Sequence, residues 1–195
     1  MGKIFYVMGK SASGKDTIYK MLLKKLPQLM KVVLYTTRPI RNGEKDGMEY
    51  HFTTRDKLEE FRKDNRLIEE RTYETISGPW SYFTVDDGQI NLEAEYGYLM
   101  IGTLESYEKT RDYFGKERLF PIYVEVDDGD RLLRAVKREK EQKTPKYKEL
   151  CRRFLADEED FKEENLERCG IHKRFRNQVL EECLDQIVKA VAEEI

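Results

Sequence analysis

The chain has 195 residues, of which 36 are Lys or Arg and 38 Asp or Glu, leaving a formal net charge of −2. Charged residues make up 38% and hydrophobic residues 39%, an apolar-poor balance, yet an aromatic share of 11% supplies the core-forming groups that disordered chains lack. The near-neutral total excludes a histone-like polyanion binder, and the length predicts one domain with small inserted subdomains.

Residues 4–8 form a continuous apolar run that reads as a buried strand. It is too short for the apolar region of a secretory signal, and Tyr6 stands where a myristoylation signal wants Ser or Thr. A loop follows, then an amphipathic helix over residues 15–26 that Pro27 ends. Residues 31–36 (KVVLYT) predict a second strand, and residues 37–47, with Pro39, Gly43 and Gly47, a loop. The pattern over 53–65 predicts a helix with Leu58 and Phe61 on one face and a capping-box-like start at Thr53 and Asp56. Strands are expected over 67–76 and 80–85, separated by Ser77-Gly78-Pro79, and core strands over 98–101 and 120–126, with a helix over 104–114 between them.

From Asp128 onward charged helical patterns dominate, broken near Thr144-Pro145. Leu132, Leu133 and Val136 form one expected apolar stripe, Phe154, Leu155 and Phe161 another, and residues 179–195 a final amphipathic helix. No repeat, sustained heptad or apolar stretch near the ~20 residues of a membrane span is present. Cys151, Cys169 and Cys183, with His51 and His172, form no disulfide framework or zinc-site spacing, which suits a reducing, cytoplasmic setting. Strands alternating with helices predict an α/β fold with a parallel core sheet flanked by helices.

The strongest local signal is Gly9-Lys10-Ser11-Ala12-Ser13-Gly14-Lys15-Asp16-Thr17, a Gly-x4-Gly-Lys phosphate loop between a strand and a helix. Glycines at both ends let successive backbone N–H groups turn toward phosphate oxygens, and the helix start adds positive potential there. Lys15 supplies a full charge for the β- and γ-phosphates. Asp16 occupies the place of the usual hydroxyl, which comes one residue later at Thr17. Asp16 is therefore expected to order Mg²⁺ or its waters together with Thr17, or to form a charge pair within the loop. The bland reading is a glycine-rich turn that only joins strand to helix.

Downstream, Arg38 and Arg41 lie three apart on a loop stiffened by Pro39 and Gly43, able to clamp one phosphate through forked, charge-assisted hydrogen bonds, with Tyr50 adding a hydroxyl. The stretch from Thr36 to Phe52 resembles the guanylate kinase pattern Thr-Thr-Arg-x-x-Arg-x-Gly-Glu-x-x-Gly-x-x-Tyr-x-Phe, with Thr36, Thr37, Arg38, Arg41, Gly43, Glu44, Tyr50 and Phe52 in matching order. Two motifs in the right order carry the resemblance firmly over the first half of the chain and loosely beyond.

The resemblance implies a P-loop kinase core (residues 1–33, 85–128 and 155–195), a small nucleoside monophosphate-binding α+β subdomain (34–84) and a helical lid (129–154). It implies ATP on residues Gly9 to Thr17, with Asn177 near the adenine, and GMP on Arg38, Arg41, Tyr50, Glu69, Tyr82 and Thr84. Glu69 would accept from guanine N1–H and N2–H, donors that adenine lacks on that edge. Lys15, with Arg138 and Arg153 (or Arg152) from the lid, would neutralise the transferring phosphoryl group. This sequence departs from the family at Leu34 and Tyr35, where a Ser near guanine is usual, at Phe83 in place of Gly, and after residues 98–101, where Glu105 alone offers a carboxylate.

The implied reaction is phosphoryl transfer from ATP to GMP with Mg²⁺, by a monomer or homodimer that engages neither nucleic acid nor membrane. The alternatives are a kinase for dGMP, IMP or a modified monophosphate, or a guanylate-kinase-like module that binds phosphorylated or acidic peptides without catalysis. A GTPase switch lacks a clear Asp-x-x-Gly at a strand end.

Overall fold

Alternation along the first strand builds both layers of the core. In this computed structural model, which describes residues 2–75, 78–94 and 96–195, five strands form a parallel sheet: β1 (Lys3–Met8), β2 (Leu29–Lys31), β7 (Gly97–Ile101), β8 (Leu119–Glu125) and β9 (Arg174–Arg176). Their order is β2-β7-β1-β8-β9, with β1 central. Phe5 and Val7 point to one face, where α1 (Lys15–Lys25) and α7 (Leu180–Ala192) bring Ile18, Leu22, Leu184 and Ile187. Ile4, Tyr6 and Met8 point to the other, against Leu104 and Tyr107 of α3 (Leu104–Phe114) and Leu166 of α6 (Glu163–Arg168). A strand covered on both faces has no polar side, which explains the unbroken apolar runs.

A second sheet, of order β4-β3-β6-β5, holds β3 (Tyr35–Thr36), β4 (His51–Phe52), β5 (Leu67–Thr75) and β6 (Gly78–Val85). β5 and β6 pair antiparallel with an irregularity between Leu67 and Glu69. Gly78 and Pro79 belong to β6 rather than to a separating turn, while Ile76 and Ser77 lie outside the described residues. α2 (Arg55–Lys63) covers this sheet with Leu58 and Phe61 against Phe83 and Val85. The start of α2 lies one residue later than expected. Thr54, not Thr53, caps it, its hydroxyl accepting from Lys57 N at 3.2 Å. Thr54→Ala is expected to cost about 1 kcal/mol of stability in urea unfolding, as loss of a helix-capping hydroxyl does.

The single strand expected over 31–36 is two strands in two sheets. Val32 N still donates to Leu99 O in the core sheet, whereas Leu34 O accepts from His51 N in the second. Val33 sits between them, its N–H and C=O met by the side-chain amide of Gln89 at 2.9 and 3.2 Å. An apolar run reports burial, not which sheet supplies the partner, so the break was invisible in the pattern.

The charged C-terminal part forms α4 (Asp128–Lys140), capped by Asp127, and α5 (Tyr147–Asp160) before α6 and α7. α5 runs unbroken through residues 154 and 155. The expected stripes are buried only in part: Phe161 is in the core, stacked on Tyr123, but the leucines are not. Leu133 is 69% exposed and Leu155 66%, while α4 buries Arg131 and Ala135. The helices pack through ion pairs described below, so apolar spacing marks the wrong face. α6 and β9 were not anticipated; β9 buries only Phe175 between two arginines. Cys169 and Cys183 are buried and Cys151 exposed, all as free thiols. Among the described residues no helix is long and apolar enough to cross a membrane.

Candidate active site

The loop between β1 and α1 is shaped by close approach. A Cβ at Gly9 would lie 2.5 Å from Val124 O, so no side chain fits. Gly14 holds φ at 86° as the N-cap of α1, and a Cβ there would meet Asn177 Nδ2 at 2.4 Å. No side chain caps α1, which leaves its first N–H groups directed at the loop's concavity. Asn177 donates from Nδ2 to Ser13 O at 2.8 Å, and its own backbone is held by Glu125 O and by Arg134 Nη2. Asn177 thus touches the loop backbone at its glycine hinge. Ser13 is fully buried, and its hydroxyl has no hydrogen-bond partner among the described residues. Lys15 Nζ lies 3.5 Å from Asp16 Oδ2, the charge pair within the loop, while Asp16 and Thr17 are exposed.

The first turn of the loop is tied to α4 and α5. Arg131, 1% exposed, donates to Asp128 Oδ1 (2.9 Å), Ser11 O (3.1 Å), Asp157 Oδ2 (3.2 Å) and Glu158 Oε1 (2.8 Å), with the Phe154 ring 4.5 Å from its guanidinium carbon. Lys10 Nζ bonds the same Glu158 at 2.7 Å and Asp128 at 3.3 Å. Ser11 N–H donates to Asp157 Oδ2 at 2.8 Å, so a carboxylate occupies one of the loop's anion-binding positions. Asp128 is held below the usual carboxylate range: burial pushes it up, but Arg131 and Lys10 outweigh that. Two cavities flank this network. One of about 360 Å³ lies beyond the ends of β8 and β9, lined by Lys10, Glu125, Asp127, Asp128, Arg176 and Gln178. The other, about 90 Å³, lies between α4 and α5 and is lined by Ser11, Arg131, Arg138 and Arg153 among others. Arg138 and Arg153 are exposed, and Arg153 and Arg152 both bond Glu149, which they hold at a pKa of about 2.

Across the cleft, Arg38 is buried and forks onto Glu44, with Nη1 to Oε2 at 2.7 Å and Nη2 to Oε1 at 2.6 Å. Hydrogen bonds from Arg38, and one from Arg41 N–H, bring the Glu44 pKa down to about 2 despite some burial. Rings of Tyr50 and Phe52 lie 5.1 and 5.2 Å from the Arg38 guanidinium carbon, and Tyr82 meets Tyr50 edge-on at 5.6 Å. Arg41 is exposed. Burial, then the neighbouring Tyr82, pushes the Tyr50 hydroxyl up, and the Asp16 carboxylate adds to this. Tyr50 also packs against the core cluster that includes Met8, the last residue of β1 before the phosphate loop.

Deeper in, Glu69 stands opposite Thr84 in the β5–β6 ladder and is buried. Thr84 Oγ1 donates to Glu69 Oε1 at 2.8 Å, and Arg71 donates from Nε to Oε2 at 3.0 Å and from Nη2 to Oε1 at 3.4 Å. Arg71 Nη1 also reaches Thr103 Oγ1 at the end of β7. Burial opposes the Arg71 cation, but the Glu69 carboxylate outweighs it and raises the pKa. Glu105 points elsewhere, pairing with Lys109 along α3.

The fold therefore joins Lys15 to Asp16 on the phosphate loop, Arg38 to Tyr50 and Tyr82, and Glu69 to Thr84, and leaves Arg41, Arg138 and Arg153 exposed. Arg131 and Arg71 were missed from the sequence. Arg71 carried a usable signal, since it shares the Glu69 side of a strand by the two-residue period. Arg131 carried only its i,i+3 spacing from Asp128, which any solvated helix face offers.

A phosphate loop stands at the C-terminal edge of the parallel sheet, and a second small sheet holds the paired arginine loop and Glu69. The likeness to known proteins is to one family. Residues 1–80 match the guanylate kinase family model. Guanylate kinase of Thiobacillus denitrificans is 33% identical over 96 residues, 49% of this chain and 44% of that protein. The enzyme of Rhodopseudomonas palustris is 42% identical over 68 residues (35% of this chain, 31% of that one), and that of Helicobacter hepaticus 28% over 114 residues (58% and 56%). The first of these matches spans less than half of its relative's length. The crystal structure of guanylate kinase from Anaplasma phagocytophilum superposes with a TM-score of 0.68 at 19% identity, covering 99% of this chain and 86% of that one. The likeness to guanylate kinases thus lies in sequence over residues 1–80 and in fold over nearly the whole length of the chain.

Proposed function

We propose that this chain transfers the γ-phosphoryl group of ATP to GMP, giving ADP and GDP. The observation that carries the reading is the pairing of two anion-binding loops across one cleft: the glycine-bent loop with Lys15, and the loop bearing Arg38 and Arg41 beside Tyr50. The family resemblance supplies the acceptor. In this reading residues 34–84 hold the acceptor, 129–154 form a lid, and the remainder is the core.

Loop N–H groups and Lys15 bind the β- and γ-phosphates, and Arg38, Arg41, Tyr50 and Tyr82 hold the acceptor phosphate. Glu69 and Thr84 receive the guanine edge. The acceptor oxygen is already anionic, so no strong general base is needed, and catalysis is positioning and charge neutralisation. Lys15, with Arg138 and Arg153 swinging in from the lid, offsets charge on the equatorial oxygens. Closure of the lid excludes water, which would otherwise take the phosphoryl group. The Thr17 hydroxyl and Asp16 carboxylate are exposed oxygen donors beside the loop and suit Mg²⁺. Bound there, Mg²⁺ would supply positive charge that offsets the charge of the transferring phosphoryl group.

A coupled assay of ATP with GMP, dGMP, AMP, UMP and IMP tests this reading. GMP is expected to give the highest kcat/KM, and a preference for AMP or UMP overturns it. Glu69→Gln is expected to raise KM for GMP roughly 10- to 100-fold, the worth of a hydrogen bond to a charged group, with kcat little changed. An unchanged KM removes Glu69 from the base site.

A further inference from the structure

Both oxygens of Glu69 are engaged inside the protein, and three of the roughly four acceptor positions of the carboxylate are taken. Arg71 bonds each of them, and Thr84 bonds one. The base end of the cleft is therefore a joined donor–acceptor pair, and the donors around it can be counted. The Thr84 hydroxyl donates to Glu69. The Thr36 hydroxyl donates to Ser81 O, the Tyr35 hydroxyl to Asp87, and the Tyr6 hydroxyl to Ser106. Each of these hydroxyls has one hydrogen, and that hydrogen is engaged. A guanidinium has five N–H donors. Arg71 directs two at Glu69 and one at Thr103, so two remain uncommitted. Its side chain is 9% exposed, and in the β5–β6 ladder the residue stands opposite Tyr82, whose ring meets that of Tyr50.

On this accounting, and resting on the reading that GMP is the acceptor, we propose that Arg71 is a specificity residue of the acceptor site. It donates to the C6 keto oxygen of guanine while Glu69 accepts from N1–H and the 2-amino group, the long 3.4 Å contact of Arg71 Nη2 with Glu69 Oε1 giving way so that the roughly four acceptor positions of the carboxylate suffice. The guanine edge presents acceptor, donor, donor in sequence, and the Arg71–Glu69 pair presents donor, acceptor, acceptor. Adenine carries an amine at C6 and a bare N1, so it would set donor against donor and acceptor against acceptor. Neither side chain at Leu34 or Tyr35 serves the keto oxygen: that of Leu34 has no polar group and the Tyr35 hydroxyl donates to Asp87. A merely structural Arg71 would hold Glu69 in place without touching substrate.

The experiment compares kcat/KM for GMP, IMP and 2-aminopurine riboside 5′-monophosphate in the wild type and in Arg71→Met. The 2-aminopurine nucleotide lacks the C6 oxygen and N1–H, and IMP lacks only the 2-amino group. The wild type is expected to favour GMP over the 2-aminopurine nucleotide by about 10- to 100-fold or more, because a buried donor is left unmet. In Arg71→Met that ratio is expected to fall at least about tenfold, the loss of one charged contact, while the GMP-to-IMP ratio stays within about twofold. A fall of both ratios together means that Arg71 acts only by positioning Glu69, and overturns the direct contact. An unchanged GMP-to-2-aminopurine ratio also overturns it. Should Arg71→Met fail to fold by circular dichroism, Arg71→Lys keeps a cation beside Glu69 but loses the fork, and the same fall in the first ratio is expected. In the wild type alone, equal use of GMP and the 2-aminopurine nucleotide overturns the proposal. A wild type that leaves GMP unused but phosphorylates another monophosphate instead overturns the acceptor reading itself, which separates the two failures.

Discussion

Lys15→Ala is expected to lower kcat for phosphoryl transfer by about 10²-fold or more, the scale of deleting one preorganised electrostatic contact. Lys15 is at the first position of α1, and its ammonium makes one ion pair, to the exposed Asp16. It belongs to none of the core clusters, so the melting temperature should barely move. The loop that binds phosphate is built by backbone: the approach of Gly9 to Val124, the left-handed Gly14 and the Asn177 bond to Ser13. Those features survive the substitution, and ATP binding should weaken far less than turnover. The fall in kcat follows because the contact strengthens as charge moves onto the β–γ bridge. Single-turnover rates with saturating ATP and GMP measure it. A rate close to wild type would show that the loop does not hold the transferred group.

The second large effect concerns stability. Arg131→Met is expected to cost about 3 kcal/mol in urea unfolding, the lower end of what breaking a buried ion pair costs. The guanidinium is buried and serves three carboxylates and one carbonyl. Without it Lys10 still meets Asp128 and Glu158, and both those groups can take water at their exposed sides. Asp157 cannot do so easily, since its side chain is only 15% exposed, and Ser11 O loses a donor. That is why one strongly destabilised carboxylate, rather than three, sets the magnitude. The sign with pH follows from Asp128, whose folded pKa is depressed. Its share of the stability is present above the unfolded carboxylate value, about 4, and is lost as pH falls through the lower folded value. The gap between wild type and variant should therefore narrow in acid. A gap that is flat from neutral pH down to about 3 would assign the cost to packing against Phe154 instead.

What could be read in advance was what depends on local pattern. The two-sided burial of β1 and β7, the glycines of the phosphate loop and the α3 boundaries follow from neighbouring residues alone. The paired arginines and Glu69 were legible because a motif preserves their order. What escaped depends on partners far along the chain. The passage from one sheet to the other at Val33 is decided by Gln89. The burial of Arg131 is decided by Asp157 and Glu158, inside a run of acids that reads as solvated surface. Leu133 and Leu155 mislead for the same reason: α4 and α5 meet through charges, and apolar side chains are left outside. Arg71 was hidden by a different effect, since a strand arginine beside a glutamate looks like a routine surface pair until the burial of Glu69 is known.

The Gln89 amide at Val33 has a mechanical meaning. Elsewhere the strands are stitched by ladders, in which yielding at one rung strains the next. At Val33 the two rungs belong to a side chain on a separate segment. The passage from one sheet to the other is thus satisfied by one amide and lies outside both ladders, while Arg71 on Thr103, Lys109 on Glu70 and Tyr113 on Asp86 fasten the second sheet to α3.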